Sequence, residues 1–254
     1  MFESLRDRVV IVTGAGSGPG MGREIPLAFA RAGSHLILNH LIDSSHDMQG
    51  FADELRALGA QVDLVHGDIA REETSAALVD TALARHGRVD VLVNNAGIST
   101  PAPVVDISLE QWQRMLDVNL TGVFLPTRAV LPHMIAAGGG RVISISSQVG
   151  QKGSEEHAHY AAAKAGVIAF SKSVAREVGR HGITVNCVAP GPIQTRLMGE
   201  VTDDWRAGKL AELVIPRFGT PEEVVPSVLL LASSPGGDLY TGQTLGPNSG
   251  DVML

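Results

Sequence analysis

Six short runs of Val, Ile and Leu, each separated from the next by a longer stretch with helical spacing, constrain what this chain can fold into. They are RVVIVT (Arg8–Thr13), HLILNH (His35–His40), QVDLVH (Gln61–His66), VDVLVN (Val89–Asn94), RVISIS (Arg141–Ser146) and ITVNCV (Ile183–Val188). A strand with one wet face alternates apolar and polar residues; these runs are nearly continuous, which predicts strands buried on both faces of a parallel sheet. Between them lie helical stretches such as REIPLAFARAG, FADELRALG and TSAALVDTALARHG, most ending in a glycine suited to a helix C-cap. The rhythm predicts an α/β fold, a doubly wound parallel sheet with helices on both faces. GGG at 138–140 reads as a helix-to-strand turn. Pro26 is expected in the first turn of the first helix, where it is tolerated. Pro126, inside TGVFLPTRAVLPHM, should kink that helix or mark its start.

The length of 254 residues allows one large domain or two small ones, and no Pro/Ser-rich linker divides the chain, so a single domain over residues 1–254 is expected. Hydrophobic residues at 44% and charged residues at 19% exclude global disorder. No apolar run reaches the roughly 18 residues of a membrane span. The opening MFESLRDR lacks the pattern of a leader, and Cys187 is the single cysteine, which together suggest a soluble cytoplasmic protein. A net charge of -7 without a Lys/Arg cluster argues against nucleic acid as a partner. No ligand spacing suggests a metal.

Directly after the first run comes TGAGSGPGMG, opening a helix. Glycines there let the backbone approach a pyrophosphate, and the helix N-terminus offers free N–H groups. Three further features accompany it. NNAG (Asn94–Gly97) ends the fourth run. Ser147 lies thirteen residues before Tyr160, and YAAAK (Tyr160–Lys164) gives Tyr-x-x-x-Lys. PGPIQT (Pro190–Thr195) follows the sixth run. With DVNLTG, RFGTPEEV and YTGQTL, these make the whole chain resemble the short-chain dehydrogenase/reductase family in its single-domain branch, which implies a Rossmann-like fold. The family's loop spacing fits Thr13, Gly14, Gly18 and Gly20, but Met21 and Gly22 then intervene before REIP. Either Gly20 or Gly22 can take the role of the third glycine.

Tyr160 and Lys164 share one helix face, one turn apart. A phenol with pKa near ~10 is a poor proton carrier at neutral pH, and a nearby ammonium shifts it toward phenolate. Ser147 would polarise a substrate carbonyl. By resemblance, Lys164 also holds the nicotinamide ribose and Asn119 a water in a proton relay. The resemblance further implies that Asp68 and Ile69 contact adenine and that Asn95, Ala96 and Gly97 line the ribose region. Thr195 would hold the carboxamide, with Pro190, Gly191 and Ile193 beside it. Asp68 also fits a loop cap after the third strand. His157, His159, Gln148 and Gln151 flank the serine–tyrosine segment and are candidate substrate contacts.

The expected reaction is hydride transfer between NAD(P) and a secondary alcohol or ketone of a small molecule. The alternative is a 3-oxoacyl-[acyl-carrier-protein] reductase. Acidic carriers call for basic residues before the fifth strand, and the stretch IAAGGGR offers only Arg141, with Arg180 further on. A cofactor-sensing protein without catalysis would lack the tyrosine or lysine. Residues 193–216 correspond to the family's substrate lid, with Met198, Trp205 and Leu210 as its apolar cover, and the family implies a homotetramer with GPNSGDVML at an interface. The second run ends Leu38-Asn39-His40-Leu41. There is no acid at His40 for a ribose diol, no Arg at Leu41 and no base at Ser17 for a 2′-phosphate. A phosphate without a cation forfeits its charge-assisted hydrogen bonds, whereas Asn39 can satisfy a neutral diol, so the sequence leans to NAD. Asn39, His40, Ser44 and Ser45 holding a phosphate is the competing arrangement for NADP.

Overall fold

The computed structural model describes residues 2–16, 18–41, 47–195 and 202–253. Ser17, Ser44, Ser45 and Met198 lie outside the described residues. In chain order the elements are β1 (Val9–Val12), α1 (Met21–Arg31), β2 (His35–His40), α2 (Met48–Ala57), β3 (Val62–His66), α3 (Glu72–His86) and β4 (Val91–Asn94). There follow α4 (Leu109–Leu116), α5 (Gly122–Ala137), β5 (Gly140–Ile145), α6 (Val149–Lys152), α7 (Ala158–Val178) and β6 (Ile183–Val188). The last are α8 (Asp203–Glu212), α9 (Pro221–Ala232) and β7 (Thr244–Leu245).

All strands pair in parallel in the order β3-β2-β1-β4-β5-β6-β7. Successive residues of each strand enter opposite layers, as the strand period of two requires. Val10, Val12, Leu36, Leu38, Val91 and Val93 pack beneath α1, α2 and α9. Val9, Ile11, Ile37, Leu92, Val142 and Val185 pack on the other face with α3, α5 and α7. Burial on both faces is why the runs are continuously apolar, and the Rossmann-like doubly wound sheet follows. The two-residue β7 has no apolar run of its own; it exists because Cys187 and Val188 of β6 offer it a ladder.

Helix ends follow local chemistry. Gly87 and Gly138 close α3 and α5 in the left-handed conformation, at φ 72° and 71°. Ser108 and Gln111 form a capping box for α4. Pro26 is not in the first turn: α1 opens at Met21, so the proline sits in its second turn. Its missing N–H would have bonded the Gly22 carbonyl, which accepts instead from the Gly16 N–H at 3.1 Å. Pro126 stands early in α5, which runs on through Pro132 as well. Between α4 and α5 the chain winds one π-helical turn, Asp117–Thr121, closed by Gly122 N–H to Asp117 O. The helical stretch Leu109–Ala137 is therefore continuous over 29 residues and by composition long and apolar enough to cross a membrane, unlike any run visible in the sequence alone. Here its Val118, Val130 and Met134 belong to the layer covering the sheet.

At the amino-terminal edge of the sheet, Asp90 is 7% exposed and receives the Val9 N–H at 2.9 Å and Arg8 Nη1 at 2.9 Å, with Arg88 Nε at 3.0 Å. Truncating it strands a buried N–H and two guanidinium groups, the latter partly solvated. Asp90→Ala is expected to lower unfolding stability by about 2 kcal/mol in urea melts.

Candidate active site

In the strand order, β1 and β4 are neighbours whose crossovers leave in opposite directions, which opens a crevice at the carboxyl ends of the strands. The loops there are held by side-chain amides. Asn39 Oδ1 accepts the Gly14 N–H at 3.3 Å, and its Nδ2 donates to the Gly67 carbonyl at 2.9 Å. Asn95 Nδ2 donates to the Thr13 and Gly14 carbonyls, both at 3.0 Å. Thr13 Oγ1 receives the N–H groups of Asn95 and Ala96 at 3.0 and 3.1 Å. The loops after β1, β3 and β4 are thus laced to one another and to the end of β2.

The glycines in this lacing are required by space. A Cβ on Gly14 would come within 2.5 Å of Ala96 Cα, and one on Gly22 within 2.4 Å of the Gly14 carbonyl oxygen. Gly22 therefore makes the close loop-to-helix contact, while Gly20, at φ 143°, caps α1 without a side chain. Gly18 lies in the bend before it. The uncapped start of α1 leaves N–H groups for an anion. Opposite, Thr195 Cβ would stand 4.0 Å from a Cβ on Gly20. Ile193 bridges Gly219, and Gly191 is pressed against Asn248, where a Cβ would meet its Cα at 2.6 Å. Pro190 accepts the Gln148 N–H at 3.0 Å, tying this loop to the serine loop. This cradle fits a dinucleotide.

After β3, Asp68 accepts from the Ala70 N–H at 3.0 Å and Arg114 Nη1 at 2.8 Å. Burial raises its carboxyl, but these partners bring it below the usual carboxylate range. The loop-cap reading of Asp68 is thus realised, with an ion pair to α4 added. Ile69 is 4% exposed and packs on Gly122. His40 meets His66 edge to face at 5.6 Å, and burial together with that neighbour lowers its pKa. Leu41 beside it is exposed.

Deeper in the crevice, Tyr160 and Lys164 descend one face of α7. Ser147 stands near enough to the Tyr160 phenol to favour its ionised form. Lys164 is 3% exposed, its Nζ donates to the Ile145 carbonyl at 2.8 Å, and it stands 5.7 Å from the Tyr160 ring centre. A Cβ on Gly97 would lie 2.8 Å from Asn119 Oδ1 and 3.5 Å from Lys164 Nζ, so these three positions converge. Asn119 Nδ2 donates to the Ile98 and Met115 carbonyls at 3.0 and 3.1 Å. The expected drop of the phenol by the ammonium is not what dominates. Burial pushes Tyr160 up to about 12 against the pull of Ser147, and burial brings Lys164 down to about 8. Both groups are desolvated together, and a charge on either is costly there.

Around them, the His157 ring meets Tyr160 edge to face at 6.0 Å. His159 is buried with Nδ1 unpartnered, and Gln148 and Gln151 each hold a buried, unpartnered amide oxygen. Trp205 packs edge to face on Phe218 at 6.1 Å, and Leu210 is half-buried. An ionic cluster joins Lys152, Lys209, Glu212 and Asp251, three separate stretches of chain that share no sequence pattern.

A family model described as short chain dehydrogenase matches residues 8–206. A 3-oxoacyl-[acyl-carrier-protein] reductase of Synechocystis sp. is 39% identical over 254 residues, covering 100% of both chains. The 3-oxoacyl-[acyl-carrier-protein] reductase FabG of Escherichia coli is 40% identical over 247 residues, 97% of this chain and 98% of its own. Its namesake from Thermotoga maritima is 36% identical over 249 residues, 98% and 99% of the two chains. Matched over most of its length by the model and nearly end to end by these relatives, the chain belongs to the short-chain dehydrogenase/reductase family, oxidoreductases that interconvert carbonyl and carbinol carbons with NAD(P).

Proposed function

We propose that this chain reduces the 3-oxo group of an acyl thioester, the alternative reading of the sequence rather than its general one. The observation that carries this is the end-to-end similarity to three reductases named for that substrate. Bound NAD(P)H supplies the hydride. Tyr160 gives its proton to the carbonyl oxygen, Ser147 donates a hydrogen bond to the same oxygen, and Lys164 holds the ribose and stabilises the phenolate left behind. Asn119 supports the proton path behind Lys164. Gly14, Gly18, Gly20 and Gly22 take the pyrophosphate, Asp68 and Ile69 the adenine, Asn95 to Gly97 the ribose region, and Pro190, Gly191, Ile193 and Thr195 the nicotinamide. The chain acts as one domain with residues 193–216 as its lid. The reading extends to a cytoplasmic homotetramer, supported by Leu239 and Met253 standing exposed near the tail.

An acidic carrier gains little from this surface: Arg141 Nη2 is paired with Asp238 at 2.6 Å and the chain is acidic overall. Coenzyme A thioesters are therefore substrates to compare with carrier-bound ones. Between Asn39 and Asp47 the sequence has no Lys or Arg to pair with a 2′-phosphate, which favours NADH. Steady-state assays of acetoacetyl-coenzyme A, its carrier-protein counterpart and simple ketones, each with NADH and NADPH, test the reading. The thioesters are expected to exceed the ketones in kcat/KM, with NADH preferred. Equal use of simple ketones overturns the substrate, and more than about tenfold preference for NADPH overturns the cofactor choice.

Tyr160→Phe is expected to cost roughly 10²–10⁴-fold in turnover with nucleotide affinity nearly unchanged by calorimetry. Ser147→Ala should lose activity severely. Ser146→Ala should lose much less, since Ser146 Oγ donates to the Lys164 carbonyl at 2.9 Å and faces away from substrate. The reverse order would refute the assignment.

Reduction needs the proton on Tyr160 and the charge on Lys164. With Tyr160 near 12 and Lys164 near 8, the phenol stays protonated through the neutral range while the ammonium is lost as pH rises past about 8. A pH profile of kcat/KM for reduction is expected to hold level in the neutral range and fall on that alkaline limb; a level profile beyond about pH 9 would contradict it.

A further inference from the structure

Helix α8 buries none of its residues, and its ring contacts are those of Trp205 and Arg206 with Phe218. The rest of its hold is ionic. Lys209 Nζ lies 2.6 Å from Asp251 Oδ2, and Lys152 Nζ lies 2.6 Å from Asp251 Oδ1. Glu212 Oε2 closes the ring at 2.8 Å from Lys209 and 3.4 Å from Lys152. The charges alternate and balance. The Asp251 side chain is 2% exposed and that of Lys209 12%, so water screens their contact weakly. The three parts joined are α8, the carboxyl-terminal tail and α6. Helix α6 begins two residues beyond Ser147, its Val149 N–H donates to Ser147 Oγ at 3.1 Å, and a Cβ on its Gly150 would lie 2.7 Å from the Lys164 backbone. The tail is braced in turn by the Ile215 N–H on the Ser249 carbonyl at 3.0 Å and by Asn248 against Gly191.

We propose that Asp251 is a positioning residue, which through Lys209 and Lys152 sets α8 against the serine loop and so shapes the substrate side of the crevice. The carboxylate touches neither reacting atoms nor the nucleotide cradle. It acts by bridging two ammonium groups carried on separate elements, one on the helix that follows Ser147 and one on a helix otherwise held by the contacts of Trp205 and Arg206 with Phe218. This deepens the thioester reading and rests on it for the choice of substrate.

The test compares the full-length enzyme with Asp251→Asn and Lys209→Met, singly and together. Amide hydrogen exchange of residues 203–212 is expected to quicken about tenfold or more in each variant. KM for acetoacetyl-coenzyme A is expected to rise about fivefold, with kcat within about twofold and NADH affinity by calorimetry unchanged. The double variant should be no worse than the worse single one, since both break the same ring. Unchanged exchange in α8, or a lowered melting temperature with KM and kcat intact, would reduce the ring to a stabilising contact and overturn the proposal. If the parent enzyme ignores the thioester, the substrate reading fails, while the exchange measurement still decides whether Asp251 holds α8.

Discussion

An ammonium group with almost no access to water sits at the centre of this molecule's chemistry, and much of the local sequence serves to lodge it. Lys164 reaches between β5 and α7 to the Ile145 carbonyl, while its own backbone carbonyl receives the Ser146 hydroxyl. The space it occupies exists because positions 97 and 150 carry no side chain. Burial costs the lysine part of its basicity and the tyrosine part of its acidity. A pair desolvated in this way responds strongly to any charge brought beside it, because the surroundings screen so little.

The crevice around that pair is polar architecture set on an apolar platform. Below it, the two core layers fix where each strand ends. Above it, Asn39, Asn95 and Thr13 bind three loops and the end of β2 to one another through bonds that no hydrophobic packing could supply. Asn39 shows how the two levels meet. Its backbone belongs to the ladder of β2 and β3, while its amide reaches sideways to the glycine loop of β1. The side chain expected from the sequence to meet the ribose is in the structure a buried beam, both ends of its amide bonded to neighbouring loops.

Much of the fold was legible because parallel strands buried on both faces leave continuous apolar runs; β2 and β6 occupy the spans those runs mark. The strand β7 was not, since two residues on a borrowed ladder carry no periodic signal. The candidate site was legible where chemistry demands fixed spacing, as in Tyr160 and Lys164 one turn apart. It was obscure where function depends on surroundings. The drop of Lys164 to about 8 comes from burial that no spacing reveals. Gly20 and Gly22 were interchangeable as letters, and only the contact of Gly22 with the Gly14 carbonyl separates them. Asp251 had no motif at all; its partners are brought to it by the tail's path.

The single π-helical turn between α4 and α5 has a consequence for how this chain can change length. Asn119, inside that turn, uses its side-chain amide on the Met115 carbonyl, the acceptor that its own backbone N–H would take in an α-helix. The turn holds one residue more than regular winding needs. Deleting that extra residue would restore regular winding with α4 and α5 keeping their facing, because one π-helical turn covers nearly the same rotation as one α-helical turn. What would be lost is the bulge that sets the Asn119 amide on the Met115 carbonyl beside Gly97 and Lys164. The extra residue therefore serves the crevice and not the packing: the core helix can keep its register without it, while the polar side chain loses its place.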